Sequence, residues 1–162
     1  VYLGVFRRNA LEKVGGYDEN FVRAQDWEMN YRLRINGGTI WFNPELKVTY
    51  RPRSSLRALA KQYFEYGRWR RVVSRRHSGT INYRYLAPPV ALAGFTLSVI
   101  LGLLSPIFFI PAAIYLSFVI VASLFIAKSL TSYLALLAII PTMHFSWGAG
   151  FITSPKSIVP ID

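Results

Sequence analysis

From Tyr85 to Ala127 no residue carries a charge, whereas residues 51–84 hold ten Lys or Arg and a single acid, Glu65. A basic block running straight into an uncharged one excludes a single ordinary soluble core: the net charge of +11 and the 52% hydrophobic content belong to different regions. Apolar runs of about 20 residues match the hydrocarbon thickness of a bilayer. Three such runs are present, at 86–104, 107–127 and 133–152, and the link Ser105-Pro106 is so tight that the first two are predicted to form a hairpin. The third carries Pro141, His144, Trp147, Gly148 and Gly150, and reads either as a kinked span or as a re-entrant segment. The cations before Tyr85, together with Lys128, predict a cytoplasmic N-terminal region.

Some chemistry is excluded. Cysteine is absent, which removes disulfides and thiolate metal sites, and two His at 77 and 144 are too few and too far apart for a zinc centre. The chain starts at Val1 with no Met, no cationic leader and no cleavage pattern, so it is expected to be the C-terminal piece of something longer.

Before the basic block the pattern is mixed. Residues 1–6 read as a short buried strand. Asn9 and Glu12 have capping-box spacing, so 10–14 is predicted as a helical turn or two stopped by Gly15-Gly16. Tyr17-Asp18-Glu19-Asn20-Phe21 is a polar loop whose carboxylates either bind hydroxyls or are solvated turn residues. Residues 24–38 then make a helix: Asp26 can cap it, Trp27, Tyr31 and Ile35 recur every fourth residue, Glu28 faces Arg32, and Asn36-Gly37-Gly38 closes it. A carboxylate fixed at a helix entrance suits a general base, and equally a plain N-cap. Residues 39–42 and 46–51 read as strands around Asn43-Pro44, with Leu46, Val48 and Tyr50 alternating against Lys47, Thr49 and Arg51. Some fifty residues are too few to enclose an α/β core, so a partner half is expected before Val1.

Residues 54–77 are predicted as an amphipathic helix. Arg57, Lys61, Arg68, Arg71 and Arg75 share one face, and Leu56, Leu59, Tyr63, Tyr66 and Val73 the other. Such a helix before an apolar run suits an anionic membrane surface, each well-placed cation contributing about 1 kcal/mol. A solvated charged face is the plainer reading, and the run into the membrane disfavours nucleic acid. Gly67 weakens the helix. Arg70 projects near Tyr63 and Tyr66 with Gln62 and Trp69 on its flank, which makes either a stripe for sugar or phosphate or a snorkelling Arg.

Gly15-Gly16-Tyr17-Asp18-Glu19, then Gln25-Asp26-Trp27-Glu28 through Arg32-Leu33-Arg34 and Gly37, then Gln62 through Trp69, and then membrane spans follow one another in an order that carries a resemblance. The chain resembles the C-terminal half of membrane-bound family 2 glycosyltransferases with the GT-A fold, of the bacterial exopolysaccharide, succinoglycan-biosynthesis type. The motifs cover residues 1 to about 80, and topology alone covers the rest. The fold this implies is a partial α/β GT-A domain (1–53), a basic amphipathic interface helix and linker (54–84), a transmembrane region of two or three helices (85–152) and a tail (153–162).

The activity it implies is inverting transfer of a sugar from a nucleotide-sugar donor to a saccharide or lipid-linked acceptor. The expected location is the bacterial inner membrane, with the catalytic part cytoplasmic. In this family an acidic pair holds the general base, and its second member falls on Asp26. Gln25 replaces the first, which removes a neighbouring negative charge and so a reason for the Asp26 pKa to rise. Asp18 and Glu19 are expected to contact substrate. Related processive enzymes carry Gln-x-x-Arg-Trp against acceptor and diphosphate. Here Gln62 precedes Arg68-Trp69 by a longer interval, and Gln62, Tyr66, Arg68, Trp69 and Arg70 are expected on the substrate side. The family's Asp-x-Asp metal motif is absent, Asp occurring only at 18, 26 and 162. The Mg or Mn expected in the complete enzyme thus has no seat here, and the chain alone is expected to be inactive. Two other classes compete: a non-catalytic anchor binding anionic lipid through its basic helix, and a small channel, disfavoured by spans nearly free of ionisable residues.

Overall fold

The computed structural model describes residues 4–158, and these divide into two units, one ending at Pro52 and one spanning Arg53–Ile158. Within the first lie helices α1 (Arg8–Lys13) and α2 (Gln25–Ile35). The second contains α3 (Leu56–Arg76), α4 (Tyr83–Gly102), a 3-10 turn at Pro106–Phe109 leading into α5 (Ile110–Ile126), α6 (Leu130–Ile152) and a 3-10 turn at Lys156–Ile158.

The described residues contain no strand, so the expected α/β half is not what this chain forms. Residues 4–7 are irregular, and the first three positions of the strand expected at 1–6 lie outside the described residues. Residues 39–52 run as irregular chain, with Trp41 87% and Phe42 82% exposed. The reason is physical. Alternating side chains make a strand only where a neighbouring strand takes up the backbone N–H and C=O groups and a layer covers the apolar face. Leu46, Val48 and Tyr50 find neither, and all three stay at least half exposed.

Local chemistry ends the two short helices. After α1, Gly15 N–H bonds Glu12 C=O and Gly16 N–H bonds Leu11 C=O; after α2, Gly37 N–H bonds Arg34 C=O and Gly38 N–H bonds Leu33 C=O. Both are paired 5→2 and 6→1 closures, which need a left-handed residue at Gly15 and Gly37. The expected box at Asn9 and Glu12 does not form: Arg7 is the N-cap without a side-chain bond, and Glu12 accepts instead from Arg8 Nε at 2.8 Å. Phe21, Met29 and Leu33 make the apolar centre, rather than the stripe Trp27, Tyr31 and Ile35. Trp27 and Tyr31 stack on each other at 5.6 Å, and Ile35 is exposed.

In the second unit α3 starts at the Ser55 cap, whose hydroxyl accepts Ala58 N–H, and packs along the C-terminal half of α6. Gly67 earns its place here. A Cβ on it would collide with the backbone carbonyl of Trp147 and lie 2.9 Å from Phe151 N, and a Cβ on Gly150 would collide with Phe64 C=O. Two helices thus meet backbone to backbone at a reciprocal pair of glycines. Gly148, next along α6, serves α4 in the same way, since a Cβ there would sit 2.6 Å from Pro88 C=O.

Helices α4, the Pro106–Ile126 segment and α6 are each long and apolar enough to cross a membrane, with mean hydropathies of 1.6, 2.4 and 1.4. Ser98 links the first two, donating to Phe108 C=O and accepting Ala112 N–H. Phe95, Tyr115 and Phe145 cluster at ring distances of 5.1–5.6 Å and join all three helices. Helix α6 continues through Pro141 without a break, and His144 Nδ1 meets Tyr115 Oη at 3.2 Å.

Candidate functional site

In the first unit the site residues gather around the entrance of α2. Ala24 caps that helix, held in the left-handed region at φ 61, and its carbonyl accepts Glu28 N–H. Asp26 is therefore not the N-cap but the second residue of the first turn, half-buried, with Oδ1 accepting Trp27 N–H at 2.8 Å. Burial pushes the Asp26 carboxyl up, while the Trp27 N–H bond to its ionised form pulls it down. Asp26 is fixed on a rigid element and still in reach of solvent.

The polar loop before α2 is ordered from within and from behind. Asp18 Oδ1 accepts both the backbone N–H and the side-chain amide of Asn20 at 2.9 Å, while Glu19 is exposed. Behind it, Glu28 is 2% exposed and forms a two-pronged pair with Arg32, Nε to Oε1 at 2.7 Å and Nη2 to Oε2 at 2.8 Å. The remaining guanidinium donors reach Val14 C=O and, at 2.7 Å, Gly16 C=O. The Glu28 bonds raise the Arg32 pKa despite its burial, helped by the charges of Glu28 and Asp18. Sequence spacing found this pair only as an i,i+4 contact. The signal missed was its place on the buried face beside Met29.

In the second unit the α3 residues fall into separate groups. Gln62 donates to Tyr66 Oη and accepts from Arg53 Nε at 3.2 Å. Trp69 is 6% exposed and donates its indole N–H to Glu65, which also pairs with Arg68 at 3.6 Å. No open ring face is left on Trp69 for a sugar to stack on. Arg70 lies 3.7 Å above the Tyr85 ring and reaches Thr80 C=O at 3.4 Å. Burial lowers the Arg70 pKa, and Tyr85 partly offsets this.

The basic face is largely taken up inside the unit. Arg71 sits 5.0 Å over Phe151, and Arg75 donates to the carbonyls of Ser154 and Pro155 at 2.9 Å, closing the end of α6. Arg57 and Lys61 remain exposed. Among the described residues no group of three or more His, Cys, Asp or Glu could hold a metal ion, so these residues do not fit a divalent ion.

The chain is 30% identical over 149 residues to the succinoglycan biosynthesis protein ExoA of Rhizobium meliloti, covering 91% of this chain and 45% of that one. It is 32% identical over 72 residues to the dolichyl N-acetyl-alpha-D-glucosaminyl phosphate 3-beta-D-2,3-diacetamido-2,3-dideoxy-beta-D-glucuronosyltransferase of Methanococcus voltae, covering 44% of this chain and 22% of that one. The chain therefore spans about half the first relative and less of the second. No protein-family model matches it, and no solved structure does.

Proposed function

We propose that this chain, a homologue of a succinoglycan biosynthesis protein, is the acceptor-side and membrane-anchoring part of a glycosyltransferase of polysaccharide synthesis. The observation that carries the reading is the similarity over 91% of the chain, which takes in both the Asp26 helix and the apolar helices. In this reading Asp26 takes the proton of an acceptor hydroxyl as its oxygen attacks the anomeric carbon of a nucleotide-sugar. The bond from that carbon to the diphosphate breaks, the nucleoside diphosphate leaves with the electron pair, and the anomeric configuration inverts. An ordinary Asp is ionised at neutral pH and so is ready to accept that proton, and Gln25 beside Asp26 adds no competing charge.

Asp18 and Glu19 face the acceptor in this scheme. Gln62, Tyr66, Arg68 and Arg70 are the α3 groups that would serve a saccharide or its diphosphate, Arg70 after release from Tyr85, and buried Trp69 supports Arg68 through Glu65. The Mg or Mn that the resemblance implies belongs to residues other than those described. The membrane is the bacterial inner membrane, with α3 on the cytoplasmic side by its excess of Arg.

The test is Asp26→Asn in the full-length membrane protein. Label from a panel of UDP-, dTDP- and GDP-hexoses is followed into saccharide and organic-extractable product. A loss of roughly 10²- to 10⁴-fold in transfer with unchanged membrane insertion is expected. Undiminished transfer by the Asn variant sinks the catalytic role of Asp26. What then stands is a non-catalytic anchor, with Arg57 and Lys61 as the cations left for anionic lipid.

A further inference from the structure

We infer that Glu28 and Arg32 are positioning residues for this site, an inference that rests on the glycosyltransferase reading above. The pair is buried, and its spare donors do not go to solvent. They hold the carbonyls of Val14 and Gly16, two groups at the end of α1 that its own turns leave open. Lys13 Nζ, bound to Asn36 C=O at 3.1 Å, ties the same end of α1 to the far end of α2. The loop bearing Asp18 and Glu19 therefore leaves from a point locked to Arg32 of α2, less than two turns from Asp26. Arg32 sets the register between the two carboxylate-bearing segments without touching substrate. A misplacement of about 1 Å in such a site costs on the order of 100-fold in rate.

Arg32→Lys in the full-length protein tests this. Lys keeps the charge but has no fork to span Glu28 and both carbonyls at once. Two readouts are expected to move together. Hydrogen exchange accelerates at residues 16–21 while the Met29–Leu33 amides keep their protection, and kcat falls about 10- to 100-fold per inserted molecule with donor KM changed less than threefold. Unchanged exchange at 16–21, or kcat within twofold of wild type, overturns the inference. Should Arg32→Lys fail to insert, Glu28→Gln carries the same comparison, with a smaller loss of about 3- to 10-fold. Exchange needs no sugar donor, so failure of the clamp and failure of the glycosyltransferase reading are told apart.

A second, independent set of contacts fixes how often the chain crosses the membrane. At the start of α4, Tyr85 lies under Arg70 of α3 and stacks on Trp147 of α6 at 6.4 Å, and Pro88 meets Gly148. At the end of α6, Phe151 lies under Arg71, and the carbonyls of Ser154 and Pro155 bind Arg75. The chain thus leaves the basic helix at α4 and returns to it at the end of α6. A path that starts and ends beside one interfacial helix crosses the bilayer an even number of times, yet among the described residues the candidate helices number three. The α4–α5 pair forms a hairpin through Ser98 and Phe95, and α6 has the lowest mean hydropathy, 1.4. The geometry points to α4 and α5 as the crossing pair, and to α6 as an unbroken helix that lies along the α3 side without crossing.

The chain has no cysteine, so single cysteines report sidedness cleanly. Ser78→Cys, Leu104→Cys and Ser157→Cys in sealed vesicles are exposed to a membrane-impermeant maleimide, with detergent-opened vesicles as the reference. Positions 78 and 157 are expected to label from one side and 104 from the other. Labelling of 157 with 104, opposite 78, overturns the inference, and Lys156→Cys repeats the measurement should Ser157→Cys be poorly made.

Discussion

Replacing Gly67 by Ala puts one methyl group into the α3–α6 seam, and two effects of opposite sign then compete. In an isolated helix the change is favourable by about 1 kcal/mol. In the seam the new carbon falls on the Trp147 carbonyl and 2.9 Å from Phe151 N, and both neighbours are backbone, so no side chain can swing aside. The helices must part by about 1 Å, which forfeits a quarter to a half of each 0.1–0.2 kcal/mol contact across the seam. A few tens of contacts make that about 1–4 kcal/mol, so against the helix gain the net loss is up to about 3 kcal/mol. Gly94, also helical but with nothing within 4 Å of its would-be Cβ, supplies the control: Gly94→Ala is expected to be neutral or slightly stabilising. Equilibrium unfolding of the purified protein in detergent, followed by Trp fluorescence, separates the two variants. Gly67→Ala combined with Gly150→Ala is expected to cost less than the sum of the singles, because one parting of the helices relieves both clashes. If Gly67→Ala unfolds at or above the wild-type midpoint, the close approach is wrong.

Two further outcomes follow from the same contacts. Arg75→Met removes both bonds to the Ser154 and Pro155 carbonyls, worth about 1–2 kcal/mol at a partly exposed site. Tryptic cutting after Lys156 is expected to rise roughly 5- to 30-fold. Ala24→Gly relieves a left-handed alanine at φ 61 and is expected to raise thermal stability by about 0.5–1 kcal/mol.

What the sequence made legible was decided within a few residues of itself. Gly15 and Gly37 close α1 and α2 because 5→2 and 6→1 bonds need only a left-handed residue at that point. The apolar helices were legible for a similar reason, since length and lack of charge suffice. Where two local patterns fit equally well, only distant contacts chose between them. Trp27, Tyr31 and Ile35 recur every fourth residue, but so do Met29 and Leu33, and the second set became the core alongside Phe21 from the preceding loop. The same limit explains the strands that did not form at 39–42 and 46–51, since alternation sets out which side chains share a face and nothing more. It also explains the basic helix, where cations fit for lipid are spent at the end of a helix some 80 positions later, as the bonds of Arg75 to Ser154 and Pro155 record. Trp69 shows the limit at the candidate site. Its neighbours in sequence marked it as a stacking platform, and its neighbours in space leave it 6% exposed. Asp26 stands differently, because its position depends on one turn of helix and one strained alanine. It is for that reason the residue whose substitution speaks most directly to chemistry rather than to packing.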